Sequence, residues 1–171
     1  MKDDRVVSDD GRQAPSWSVD MARKTVVLIC GDPDRAGPIR DDLGLSGTTV
    51  VLCAATAEDA RGVVEAGCPD MLIYYRLEGE DFRGVDAVLW SRSRAPRPVP
   101  IVVLGDRYDE AEAMILFQLG VTDYLGVAEH ADRLASLTSR LLFPGVDPAS
   151  AEPHSARARA FADRLAGTRG G

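Results

Sequence analysis

Residues 69–75 read Pro-Asp-Met-Leu-Ile-Tyr-Tyr. Met71 to Tyr75 form a run without a charge, closed at the start by Gly67 and Pro69 and followed by Arg76-Leu-Glu-Gly-Glu. A short apolar run bounded by turn signals is the mark of a strand buried on both faces. A buried helix is the alternative, but five residues ending in Ile-Tyr-Tyr suit a pleated backbone better. A strand of this kind needs a layer above it and another below.

The flanking chain supplies both. Four more apolar runs are predicted strands, at about 25–30, 48–53, 100–104 and 122–125. Between them lie helical stretches. Asp34 is placed to cap a helix to about Leu43, with Pro38 near its first turn. Thr56-Ala-Glu-Asp59 opens a second with an N-cap threonine and acidic residues in its first turn, and Ala60, Val63 and Val64 have the spacing of its buried face. Gly84 to about Arg94, Asp109 to Leu119 and Glu129 to Phe143 complete the set. Strands alternating with long crossovers predict an α/β fold with a parallel sheet covered on both faces.

Composition limits what this fold does. The chain has 171 residues, 45% of them hydrophobic, and a net charge of −7. Most of the negative charge falls within 23–143, which argues against nucleic acid or an anionic membrane as partner. No run is long enough to span a bilayer, and the first 22 residues lack the apolar core of a signal peptide, so a cytoplasmic protein is expected. Cys30, Cys53 and Cys68 have no metal or redox spacing. The expected organisation is a tail at 1–22, one domain at 23–143, and a linker with a short helix at 144–171. That last helix runs from Ser155 to Ala166, with Ala158, Phe161 and Leu165 on a narrow apolar face.

The ordered phrases resemble the receiver domains of two-component response regulators. Pro69-Asp-Met-Leu-Ile is similar to the start of the family's third strand, Pro100-Ile-Val-Val-Leu to its fourth, and Gly120-Val-Thr-Asp-Tyr-Leu125 to its fifth. Asp32-Pro-Asp-Arg35 is similar to the segment after the first. The resemblance implies a flavodoxin-like (βα)5 doubly wound sheet of order 2-1-3-4-5. It also implies a site at the carboxyl ends of strands 1, 3 and 4, where the family uses an acceptor aspartate, an acidic pair for Mg²⁺, a Thr or Ser, and a lysine. Here the acceptor position is Tyr75, the acidic pair falls on Cys30 and Gly31, the hydroxyl position is Gly105 and the lysine position is Val127. Asp32 lies one residue late, Asp70 lies at the wrong end of its strand, and Asp106 stands near the pocket. The switch aromatic remains as Tyr124. The chain therefore resembles a pseudo-receiver without the chemistry, with no cofactor, no metal and no catalytic residue expected.

Two functions compete. The first is a phosphorylation-independent signalling or scaffold protein that binds another protein, or a second copy of itself. The helix at 109–119 is apolar nearly all round, and Met114 and Leu116, with Tyr124, are its expected contact residues. In that reading Ala113 and Phe117 face the core and Leu116 faces outward. The second is a small-ligand sensor using the vacated pocket around Gly31, Tyr75 and Gly105. Enzymatic activity is not expected: no nucleophile–base pair or phosphate-binding glycine loop is present. The stretch after Phe143 is too short to add a DNA-binding or catalytic domain.

Overall fold

A computed structural model describes residues 23–44, 47–67, 69–80, 83–94 and 97–145. The expected tail at 1–22, the helix at 155–166 and Cys68 lie outside the described residues. The elements alternate strictly. They are β1 (Lys24–Ile29), α1 (Pro33–Gly44), β2 (Thr49–Ala54), α2 (Ala57–Gly67), β3 (Met71–Tyr75), α3 (Arg83–Arg94), β4 (Ile101–Gly105), α4 (Glu110–Gln118), β5 (Asp123–Gly126) and α5 (Val127–Leu142).

The five strands form one sheet in the order β2-β1-β3-β4-β5, and every pairing is parallel. β3 is the middle strand, and all five of its residues are buried. Its side chains alternate between two cores, as a pleated backbone requires. Met71, Ile73 and Tyr75 pack under α1 and α5, with Ile39, Leu134 and Leu137. Leu72 and Tyr74 pack on the other face, with Val64 of α2, Val85 and Val88 of α3, and Leu116 of α4. Each fully buried aliphatic side chain adds about 1.5–3 kcal/mol.

The helix starts differ from expectation in one instructive place. α1 begins at Pro33, and its cap is Asp32, whose Oδ1 accepts from the Asp34 amide at 2.9 Å. Asp34 sits inside the first turn instead. Proline at the first helical position lacks an N–H that would have no intrahelical partner, so the helix starts there. The Thr56 cap of α2 forms as read, with the Asp59 amide donating to Thr56 Oγ1 at 3.1 Å, and the structure adds a reciprocal bond from the Thr56 amide to Asp59 Oδ2 at 3.1 Å. α5 starts at Val127 rather than Glu129, and His130 departs from helical geometry within it (φ −129, ψ 19).

Asp70 has a structural part at the amino edge of the sheet. Its Oδ2 accepts from the Thr25 amide at 2.8 Å, and its Oδ1 accepts from Lys24 at 3.2 Å and Arg97 at 2.9 Å. It joins the starts of β1 and β3.

A filled corner and an apolar helix

The carboxyl ends of β1, β3 and β4 meet at one corner, because parallel strands put all their carboxyl ends on one edge. Tyr75, the last residue of β3, is 1% exposed. Its hydroxyl donates to Asp106 Oδ1 at 2.7 Å and accepts from Arg35 Nη1 at 2.6 Å. Arg35 also pairs with Asp106 directly, and its Nε lies 3.3 Å from Asp32 Oδ2. The guanidinium carbon stands 5.4 Å from the Tyr75 ring centre. One cation from the first turn of α1 thus joins two carboxylates and a phenol. An arginine suits this place because its planar guanidinium presents several donors in a fixed fork.

The structure brings Asp32, Tyr75 and Asp106 together as the sequence suggested, but through Arg35, which sequence reading passed over. The available signal was the i, i+3 spacing of Asp32 and Arg35. Cys30 follows β1 and is buried; its thiol donates to the Asp32 carbonyl at 3.2 Å, and burial pushes the thiol pKa up. Gly31 leaves ordinary room beside the Ala55 carbonyl. Val127 packs into the α1–α5 core. The Mg²⁺ that a receiver resemblance implies does not fit this corner. Cys30 and Gly31 offer no carboxylate, and the Arg35 guanidinium already contacts both Asp32 and Asp106. Among the described residues no three His, Cys, Asp or Glu side chains gather at one place.

Gly105, at the end of β4, stands under Tyr124. A Cβ at that position would lie 2.8 Å from the Tyr124 hydroxyl and 3.2 Å from the Arg107 carbonyl. The missing side chain is therefore what admits the ring. Tyr124 is 3% exposed, donates to the Arg107 carbonyl at 3.0 Å and stacks on Tyr108 with centres 5.4 Å apart. Burial, then the Glu112 carboxylate, pushes its phenol up to about 12. Beside it opens a cleft of about 320 Å³ lined by Arg76, Leu77, Gly105, Arg107, Glu112 and Tyr124. Arg76 Nε donates to Glu112 Oε1 at 2.5 Å across it.

α4 corrects the expected contact face. Leu116 is 0% exposed and packs with Ala113 against the sheet, so it is core and not a contact residue. Tyr124 is also turned inward. The outward residues are Met114 at 59%, Phe117 at 46%, Ile115 at 44% and Leu119 at 39% exposure. The Ala113–Phe117 spacing suggested one stripe; the Ala113–Leu116 spacing is the one that faces the core. With apolar residues on every side, the sequence could not say which way the helix is turned.

No family model matches the chain, and no curated protein matches it. Solved structures do. A two-component response regulator from Clostridium difficile is 19% identical with a TM-score of 0.61, over 73% of this chain and 100% of that one. The BeF3-activated N-terminal receiver domain of Klebsiella pneumoniae RstA is 22% identical with a TM-score of 0.55, over 69% of this chain and 98% of that one. The chain has the receiver fold. A response regulator from Thermotoga maritima is similar at 15% identity and a TM-score of 0.60, over 70% of this chain and 98% of its own. At these identities the likeness is one of fold. In this receiver fold the corner at the strand ends carries a tyrosine and two aspartates gathered on one arginine, and the chemistry has to be argued from them.

Proposed function

We propose that the chain is a phosphorylation-independent signalling or scaffold protein, acting by protein binding through the outer face of α4. One observation carries the first half: the Tyr75 hydroxyl, at the acceptor position, is held by Asp106 and Arg35. A phenol tied to a carboxylate and a guanidinium is a poor substitute for a metal-assisted carboxylate nucleophile. The second half rests on Met114, Ile115 and Phe117, three exposed apolar residues on a helix of nine, and on exposed Leu119 at its C-cap. A cluster of that kind on an otherwise acidic domain marks a contact surface. The fitting partner is a protein with an apolar patch bordered by basic residues. The function is non-enzymatic in this reading.

Incubation with Mg²⁺ and acetyl phosphate tests the first half. Intact mass should show no added acid-labile phosphate; an aspartyl phosphate would refute phosphorylation independence. Affinity capture with wild type beside Met114→Glu tests the second. The reading requires a protein held by the first and lost by the second.

A second reading, a small-ligand sensor, rests on the 320 Å³ cleft beside Gly105, since Arg35 and Tyr75 fill the corner originally expected to hold the ligand. Thermal shift against small zwitterions and carboxylates tests it. A shift abolished by Arg107→Ala would favour it.

A further inference from the structure

The cleft beside Tyr124 lies between the turn after β3, at residues 76–79, and the turn after β4, at residues 105–109. Most of the charges that line it are committed. Arg76 Nε donates to Glu112 Oε1. Asp106 is held by Arg35 and the Tyr75 hydroxyl. Asp109 Oδ1 caps α4 by accepting from the Glu112 amide. Glu78 on one wall and Arg107 on the other remain. Both are exposed, and among the described residues neither side chain has a hydrogen-bond or ion-pair partner.

The backbone beneath each of these two charges is fixed. The Glu80 amide donates to the Leu77 carbonyl at 3.1 Å, which closes a turn with Glu78 at its second position. Gly79 takes φ +85, as the third position of a type II turn requires. The turn is tied again by the Leu77 amide donating to Glu80 Oε2 at 3.2 Å and by Arg76 Nη1 donating to the Glu80 carbonyl at 2.5 Å. Across the cleft, the Arg107 carbonyl accepts from the Tyr124 hydroxyl at 3.0 Å. Both neighbours of Arg107 are held as well. The Asp106 carbonyl accepts from the Ala128 amide at 3.1 Å, and the Tyr108 amide donates to Glu129 Oε2 at 3.0 Å. A single surface charge on a loop is commonplace. Opposite charges, both unpaired and both carried on pinned walls of one cleft, form a preorganised frame.

We propose that this cleft takes a small amphoteric molecule of the amino-acid class, its carboxylate on Arg107 and its ammonium on Glu78. The proposal rests on the sensor reading given above and names the ligand class of that same cleft. A guanidinium meets a carboxylate through parallel N–H donors, and a carboxylate accepts from an ammonium. A ligand with one charge satisfies one wall and turns an apolar end towards the other wall's charge, which loses water without gaining a partner. The volume of about 320 Å³ stands at the small end of ligand sites, which begin at about 300 Å³. It suits a molecule of amino-acid size, with Leu77 and Tyr124 lining the space beside the charges.

The test is a titration of the ¹⁵N-labelled full chain at low ionic strength, followed at the Gly79 and Arg107 amides. The probes are glycine, β-alanine and γ-aminobutyrate, each beside the acid that lacks its amine and the amine that lacks its acid. The best zwitterion should bind about tenfold tighter than either of its singly charged analogues. In Glu78→Ala its advantage over the acid should vanish, and in Arg107→Ala its advantage over the amine should vanish. Both side chains are exposed, so the melts of the two variants should match that of wild type. A singly charged analogue that binds as tightly as the zwitterion overturns the ligand class and leaves the sensor reading standing. An advantage over the acid that survives Glu78→Ala does the same. If no probe moves either amide at tens of millimolar, the ligand class and the sensor reading fall together.

Discussion

The Tyr75 hydroxyl donates to Asp106 Oδ1 at 2.7 Å, joining the end of β3 to the turn after β4. Asp106 remains paired with Arg35 when that hydroxyl is removed. Tyr75→Phe should therefore cost about 1.5–3 kcal/mol, the value of a hydrogen bond to a charged group. Thermal unfolding should show a fall of a few degrees. A fall beyond about 5 kcal/mol would mean that the hydroxyl also orders Arg35.

Leu116 and Met114 should part company under the same substitution. Leu116→Glu buries an unpaired carboxylate in the core beneath α4 and should destabilise by several kcal/mol. Met114→Glu lies in water and should change stability by about 0.5 kcal/mol or less. Parallel melts decide it, and equal losses would refute the turn of the helix described above.

How far the sequence reaches is visible in these residues. The uncharged run at 71–75 and its four companions made the sheet legible, since buried parallel strands have no polar face to disguise them. Tyr75, Asp32 and Asp106 were legible as neighbours because the topology brings the strand ends together. Arg35 was not, since an arginine in a first helical turn has several rotamers and the sequence does not choose among them. Leu116 was misplaced for a different reason. On a helix with apolar residues all round, periodicity offers no preferred face.

Asp70 gives an acid-side prediction. Burial raises its carboxyl pKa, but the Thr25 amide, Arg97 and Lys24 more than offset that and hold it below the ordinary value. A carboxyl lowered on folding stabilises above its unfolded pKa of about 3.9, and that stabilisation is lost as pH falls through the folded value. Asp70→Asn should lower stability at neutral pH and flatten the acid limb of a denaturant–pH series. An unaltered acid limb would show that Asp70 is not the group titrating.

Tyr124 gives the alkaline counterpart. Its phenol is pushed up to about 12 by burial and by Glu112. Being raised on folding, it stabilises fully below the unfolded value of about 10, and that contribution is lost as pH rises towards 12. The difference in phenolate absorbance between wild type and Tyr124→Phe should have its midpoint near the higher value. A midpoint near 10 would mean that the ring is not enclosed over Gly105.

The Arg35–Asp106 pair also sets a clock. The two residues are 71 positions apart, so the pair cannot close before β1, β3 and β4 have aligned. Contacts between distant parts of the chain carry the loop-closure cost first and form late in folding. Loss of such a contact speeds unfolding and leaves the folding rate nearly unchanged. Asp106→Asn should therefore steepen decay from the native state in stopped-flow denaturant jumps, with the refolding limb superimposed on that of wild type. In that sense the corner works as a latch on the finished sheet, governing how long the folded chain persists.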